Sequence, residues 1–480
     1  MANKSLGKNA IYNIIYKVLN VVFPLISTAY ISRVLLAEGV GRVSAVNNNV
    51  SYFILLATLG IPVYGLREIA KANNDNSKRS ILFSELFILN AIFTVFSFLL
   101  FTILTLINPY FRNEVVLYQI YGLSIILNII NVDWLFQGME EYGYIAARSS
   151  IIKIISILAL FLFVREKTDV YVYAIINVIA ISGNYIFNII KSKKYVKFSL
   201  KNINLKQHVR PLIYLALCSI STELYAKMDI TMLDVIKGNE IVGYYTYSQK
   251  LINLIVTTLV AVTAVFLPRL SYLINNNKEE FNKILKVGFD LMVFISIPAC
   301  IGVMLISKSL VLSFLGESFE GAVLTTAILS LMIPLKCIGD LICYQVMMCA
   351  DRESLLMKSY LVTMIINLIN NILLIPRFGA EGASVASVIS EILAFGFVYH
   401  YSRKYFTLIG VKKNIIKTII ATAIMAISIA PINFLSLPYF FKLVIECCLG
   451  VVVYLAACFI MRHEVLFQYV GIIKNKIRRV

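Results

Sequence analysis

Apolar residues in this chain fall in runs of about 20, divided by short polar connections, a length that matches a hydrocarbon layer roughly 30 Å thick. About fourteen such runs are predicted, near 9–32, 44–66, 81–107, 115–137, 146–164, 170–190, 211–236, 243–267, 286–308, 322–348, 355–375, 382–402, 414–436 and 439–461. Backbone inside lipid has no water to bond with, so only helices or closed barrels can cross. Runs this long predict helices. The expected fold class is an all-α polytopic membrane protein.

Composition supports that reading. Hydrophobic residues make up 59% and charged residues 15%, against roughly 45–50% and 25% in soluble domains. Mean hydropathy is +0.82. A water-soluble enzyme, a disordered chain and a coiled coil are all excluded. The net charge of +18 would point to nucleic acid in a soluble protein. Here the Lys and Arg cluster between apolar runs, where the positive-inside rule requires them, so no nucleic-acid partner is expected. Most of the 44 basic residues lie in the even-numbered connections and the two ends, which predicts both termini in the cytoplasm. The richest connection is 191–210. Connections on the other face are short, leaving no room for the outer catalytic domain that a membrane glycan polymerase would need. The first run is not followed by a small-residue cleavage site and is expected to stay in the mature chain.

Candidate chemistry adds little. The eight cysteines lie in or beside apolar runs without metal-binding spacing, and His208, His400 and His463 are far apart near run ends. No metal, cofactor or catalytic constellation is expected. The chain lacks an ATP-binding signature, so energy is expected from a gradient or a partner.

One offset of 202 residues relates Glu38 to Glu240, Gly41 to Gly243 and Arg67 to Arg269. This suggests two parallel six-span repeats, with chance identity as the alternative. The expected domains are a six-helix bundle over 1–190, a basic linker over 191–210, a second bundle over 211–405, and two further helices with a basic tail over 406–480. Such a repeat places a cavity where the halves face each other. Arg67 and Arg269 then fall at its cytoplasmic rim.

Charges at membrane depth are costly, about 2.5–3.5 kcal/mol each on insertion scales, so each needs a reason. The first run carries Asn13, Lys17 and Asn20 at helical spacing, and the seventh carries Ser219, Glu223, Lys227, Thr231 and Asp234, with Asp229 offset. Glu223 and Lys227, four apart, can neutralise each other. Lys250 and Asn253 on the eighth run match Asn48 and Ser51 on the second. Lys153 and the pair Lys336 and Asp340 complete the set. One reading makes these groups glue between helices, or has them snorkel to the interface. The other lines a wet cationic cavity with Lys17, Lys227, Lys250, Lys153 and Lys336, suited to a diphosphate. Asn13, Asn20, Asn48 and Asn253 would give it polar walls, and Asp229, Glu223 and Asp340 would be candidates for ion coupling. The small-residue run from Gly379 to Ser390 reads as close helix packing.

Several stretches resemble one family. They are Ile31-Ser32-Arg33-Val34-Leu35 with Glu38-Gly39-Val40-Gly41, Gly65-Leu66-Arg67-Glu68-Ile69-Ala70, and Asp133-Trp134-Leu135-Phe136-Gln137-Gly138-Met139-Glu140. The second half adds Lys227-Met228-Asp229-Ile230-Thr231-Met232-Leu233, Val242-Gly243-Tyr244-Tyr245, Leu267-Pro268-Arg269-Leu270 and Ile375-Pro376 with Gly379 and Gly382-Ala383. Over nearly its whole length the chain resembles the Wzx-type repeat-unit flippases within the multidrug/oligosaccharidyl-lipid/polysaccharide exporter superfamily. The resemblance implies twelve to fourteen helices in two six-helix bundles, a cationic lumen, and a carrier rather than an enzyme. It implies an undecaprenyl-diphosphate-linked oligosaccharide as substrate, a bacterial inner or plasma membrane, and a polysaccharide polymerase as candidate partner. One departure stands out: Asp234 occupies a position where the family usually has glycine. The alternatives are a peptidoglycan-precursor flippase, a cation antiporter of the same superfamily, which would need an acidic cavity, and a glycan polymerase.

Overall fold

The computed structural model describes residues 6–72, 75–201 and 203–468, with side chains from residue 23 onward apart from those of residues 218 and 353. All regular structure described is helical. The helices gather into two compact units, 1–234 and 235–480, each described by itself.

The first unit holds α1 (Leu6–Thr58), α2 (Ile61–Lys71), α3 (Asn76–Ile107), α4 (Pro109–Arg112), α5 (Val115–Leu127), α6 (Asp133–Gly138), α7 (Tyr142–Phe163), α8 (Val170–Ser192) and most of α9 (Lys206–Lys237). The second holds α10 (Asn239–Thr263), α11 (Leu267–Asn276), α12 (Lys278–Phe314), α13 (Ala322–Leu329), α14 (Met332–Gly339), a π-helical turn (Asp340–Gln345), α15 (Val346–Cys349), α16 (Glu353–Ser402), α17 (Val411–Ile429) and α18 (Tyr439–Ile460). Among the described residues, ten segments are long and apolar enough to cross a membrane. The figure of about fourteen spans stays an expectation. Two of the long helices contain a break. Leu36 (φ 59) interrupts α1 between the first two expected runs, and Gly379 (φ 56) interrupts α16 between the eleventh and twelfth. At Gly379 the residue type suits the angle, because glycine has no Cβ to clash. Leu36 holds a left-handed angle that ordinary side chains disfavour, so its surroundings must impose it.

In α3 the pattern is inside-out, as lipid solvent demands. Ile92, Val95, Phe96, Leu99, Ile103 and Leu106 form an exposed apolar stripe, whereas Asn90, Thr94 and Ser97 are buried. The buried groups are satisfied: Asn90 Nδ2 donates to the Asn128 carbonyl at 2.7 Å and Ser97 Oγ to the Phe53 carbonyl at 2.6 Å. An unpaired group there would incur the full desolvation penalty.

Two motif stretches of the first unit turn out to be a packing joint. On α2, a Cβ at Gly65 would lie 2.8 Å from the Trp134 ring of α6; on α6, a Cβ at Gly138 would lie 2.8 Å from Ile69 and from the Leu66 carbonyl of α2. Each helix supplies one gap and one filler. Ile69, Trp134, Leu135 and Phe136 belong to a single buried cluster with Phe83, Leu86 and Leu212. Beside it, Arg148 of α7 is buried and pairs with Asp133 at 2.9 Å, and Asn188 of α8 donates to the same carboxylate.

In the second unit α10 packs on α13, α14 and α16, and α12 carries both α17 and α18. Small residues permit the close contacts: Ala380, Ala383, Ser384, Ala386 and Ser390 of α16 are all buried. Ser248 and Thr326 bond at 2.8 Å, and Tyr245 and Ser387 at 2.9 Å. The last two helices are tied down by polar bonds at one end. Asn414 donates to Asp290 and to Glu464, each at 3.0 Å, Lys286 pairs with Asp290 at 3.1 Å, and His463 meets Thr418 at 3.1 Å and the Asn414 carbonyl at 3.2 Å. Burial pushes the His463 pKa below its ordinary value, with the Asn414 carbonyl opposing, while the Asn414 amide holds Glu464 below the usual carboxylate range.

Two outcomes follow from this packing. Gly138→Val should lower the unfolding free energy by about 1–3 kcal/mol through overpacking, read as a drop in melting temperature of the purified protein, with Gly143→Val, where a Cβ meets open space, as the mild control. Because folding depresses the His463 pKa, its contribution is present above about pH 6.5 and disappears as pH falls through the lower folded value. Melting temperature should therefore decline from about pH 7.5 to 5.5, and His463→Gln should flatten that slope.

Candidate functional site

α9 reaches the middle of the first unit with one polar face, as its spacing of four, four and three between Glu223, Lys227, Thr231 and Asp234 predicts. That face meets polar positions of α1. Asn48 Nδ2 donates to Thr231 Oγ1 at 2.8 Å, the Tyr52 hydroxyl lies 3.0 Å from the same oxygen, and Lys227 Nζ donates to Ser51 Oγ at 3.0 Å. Lys227 and Glu223 form an ion pair at 2.6 Å, with side chains 32% and 40% exposed. The neutralising pair allowed by the spacing is therefore present. It is also accessible, so an anion arriving at Lys227 competes with a carboxylate rather than with water. Asp229, offset from that face, is buried.

One turn further, Asp234 accepts a hydrogen bond from the Tyr110 hydroxyl of α4. Asn49 of α1 donates to Tyr110 at 3.1 Å and to Tyr118 of α5 at 2.9 Å. Asp234 is thus bound into a tyrosine cluster that joins four helices.

Lys153 is half-buried on α7, between buried Ser149 and Ser156. Arg67 is exposed on α2, 3.3 Å from Glu68 and 5.7 Å from the centre of the Tyr64 ring; Glu68 also takes Lys71 at 2.9 Å. Asn13, Lys17 and Asn20 fall on α1, and their side chains lie outside the described ones.

In the second unit Lys250 is exposed on α10, its ammonium 4.2 Å from the centre of the buried Tyr247 ring. A cation over a ring face is held electrostatically without a counter-charge, which leaves the ammonium able to take an anion. Asn253 lies three residues on and is half-buried. Lys336 and Asp340 are both half-buried on α14 and the π-helical turn, and no ion pair within 4.0 Å joins them. Asp340 instead accepts from Gln345 Nε2 at 2.8 Å. The Asp340 amide still bonds back to the Lys336 carbonyl in α-helical register, so the two side chains part although their backbone spacing is kept. Arg269 is exposed and pairs with Glu280 of α12 at 2.5 Å.

Sequence reasoning passed over several members of these networks. Tyr52, Asn49 and Tyr110 carry no charge and hide among 28 tyrosines. The buried set of Glu85, His208 and Tyr64 was legible: an acid inside an apolar run deserves the same scrutiny as the lysines. His208 lies 2.8 Å from Glu85 and 2.8 Å from the Tyr64 hydroxyl, all three buried. They brace α2, α3 and α9.

Comparison with known proteins places the chain. A family model described as "Polysaccharide biosynthesis protein" matches residues 6–274. A protein of Escherichia coli (strain K12) named "Putative O-antigen transporter" is 22% identical over 405 residues, covering 83% of this chain and 97% of that protein. A namesake in Shigella dysenteriae is 22% identical over 78% of this chain and 94% of its own length. Among solved structures, "Lipid II flippase MurJ, inward closed conformation" aligns with a TM-score of 0.78 at 15% identity, over 95% of this chain and all of that one. An inward-facing multidrug resistance MATE family transporter of the MOP superfamily aligns with a TM-score of 0.61 at 14% identity, over 80% of this chain and 93% of that one. These likenesses give the fold as that of the exporter superfamily, and the chain belongs to the polysaccharide biosynthesis protein family.

Proposed function

We propose that this chain is a flippase for lipid-linked oligosaccharide, moving undecaprenyl-diphosphate-linked repeat units from the cytoplasmic to the outer leaflet for surface polysaccharide assembly. The observation that carries the reading is the end-to-end match to a relative named as an O-antigen transporter, on a chain of polysaccharide biosynthesis family. The chemistry is consistent with it. Lys227, half-exposed and shared between Glu223 and Ser51, and Lys250, held over a tyrosine ring, are cations a diphosphate can engage as point charges.

The diphosphate meets Lys227 and Lys250 in the course of alternating access, with Lys17, Lys153 and Lys336 adding positive potential, while the lipid tail stays in the bilayer. Asn13, Asn20, Asn48 and Asn253 hydrate the sugars, and Arg67 and Arg269 guide the headgroup at the cytoplasmic rim. On binding, phosphate displaces the Glu223 carboxylate from Lys227. Glu223 thereby becomes free to take a proton or a cation, and Asp229 and Asp340 are the other coupling candidates. Interior-negative potential drives anion exit at about 2.3 kcal/mol per charge per 100 mV. We assign both termini to the cytoplasm of a bacterial inner membrane, six-helix bundles to 1–190 and 211–405 joined by the basic linker 191–210, and the last two helices and tail to 406–480. A polysaccharide polymerase would consume the product.

Two assays test the reading. Lys227→Ala and Lys250→Ala should each cut translocation of a fluorescent polyprenyl-diphosphate oligosaccharide in proteoliposomes at least tenfold, with normal expression, while Lys227→Arg keeps part of the rate. Wild-type movement of a peptidoglycan precursor in place of the oligosaccharide, or undiminished flipping in both alanine variants, would overturn the assignment.

A further inference from the structure

After α8 the chain runs in extended form along the first turns of α3, and side chains of α3 take the place of a partner strand. Arg79 Nη2 donates to the Tyr195 carbonyl at 2.8 Å, Ser80 Oγ accepts from the Lys197 amide at 3.1 Å, and Ser84 Oγ accepts from the Ser199 amide at 2.9 Å. Glu85 continues the series by accepting from the Asn204 amide at 2.7 Å. Residues 80 and 84, four apart, share one face of the helix, and 79 and 85 flank it on either side, so the first turns of α3 hold the strap at four points.

Fixing the strap fixes the points from which its side chains extend. Lys193, Lys194, Lys197 and Lys201 all line one cavity of about 570 Å³, with Ser77 and Ser80 among the residues opposite and no carboxylate in its lining. Asp75 is engaged in capping α3, accepting from the Ser77 and Lys78 amides at 2.9 Å. Alternation along the extended segment turns Phe198 and Leu200 away from the lysines, and these are 54% and 70% exposed. The strap thus presents an apolar edge beside a cationic hollow, the arrangement of a segment seated where acyl chains give way to headgroups.

We propose that this cavity is a binding site for the phosphate of an anionic phospholipid in the leaflet that meets this end of the first unit. Topology alone asks only for basic residues somewhere in the loop. It does not ask that four of them converge on one cavity free of carboxylates, nor that a bonded strap hold them there. The ligand class follows from the donors: four ammonium groups and the Ser77 hydroxyl suit a phosphate, and the exposed Phe198 and Leu200 suit the acyl chains attached to it. This site is separate from Lys227 and Lys250 and does not depend on the transported substrate.

The test uses the purified full-length protein in neutral detergent, with thermal unfolding followed as phosphatidylglycerol, phosphatidylcholine or inorganic phosphate is titrated. Phosphatidylglycerol should stabilise the wild type, phosphatidylcholine should not, and the fourfold Lys→Gln variant at 193, 194, 197 and 201 should need about tenfold more phosphatidylglycerol or higher for the same shift. A fourfold Lys→Arg variant should retain the wild-type response. A charge-matched variant with Gln at Lys278, Lys283, Lys404 and Lys412 should also respond as the wild type does. Equal stabilisation by phosphatidylcholine, an unchanged response in the Lys→Gln variant, or an equal loss in the charge-matched variant would each overturn the site. Stabilisation by inorganic phosphate at the same concentrations would assign the hollow to a soluble ion and overturn the lipid assignment.

Discussion

The absence of water in the hydrocarbon layer governs this structure. A polar atom placed there has only the protein to bond with, and an unmet group costs more than most packing contacts return. Helices discharge that obligation for the backbone. Side chains discharge it pair by pair, as Asn90 does with the Asn128 carbonyl and Ser97 with the Phe53 carbonyl. Two carboxylates are met in the same way: Asp133 takes both Arg148 and Asn188, and Glu85 takes His208. A charge left accessible at membrane depth therefore stands apart. Lys227 and Lys250 are the cases around which the functional reading is built.

Much of the architecture was legible because hydrocarbon solvent makes the apolar run itself the structural signal. Helical class and the polar face of α9 could all be read from spacing. The small-residue run in α16 likewise announced a tight helix contact, and Ala380, Ala383 and Ser384 are buried. What spacing could not reach was the bonding state. An i,i+4 acid and base form a pair in Glu223 and Lys227 but not in Lys336 and Asp340, where the carboxylate accepts from Gln345 instead. Motif residues were also read for resemblance before their physical role was known. Gly65, Trp134 and Gly138 form a joint of gap and filler.

Asp234 shows how a carboxylate is accommodated on a packed helix. Here Tyr110 donates to it, and Asn49 ties Tyr110 and Tyr118 together. The carboxylate thereby joins a crosslink among α1, α4, α5 and α9. Rigidity at that level of the first unit leaves the neighbouring turn, with Lys227, as the part of α9 whose bonds can exchange.

The ion pair between Lys227 and Glu223 also sets an entry condition. A chloride or acetate offers the ammonium no more than the carboxylate already there, and so gains nothing by intruding. A group bearing two or more negative charges offers more than it displaces. On the proposed reading the resting carrier discriminates by valence, closed to the abundant small anions of the cell and responsive to a doubly phosphorylated headgroup.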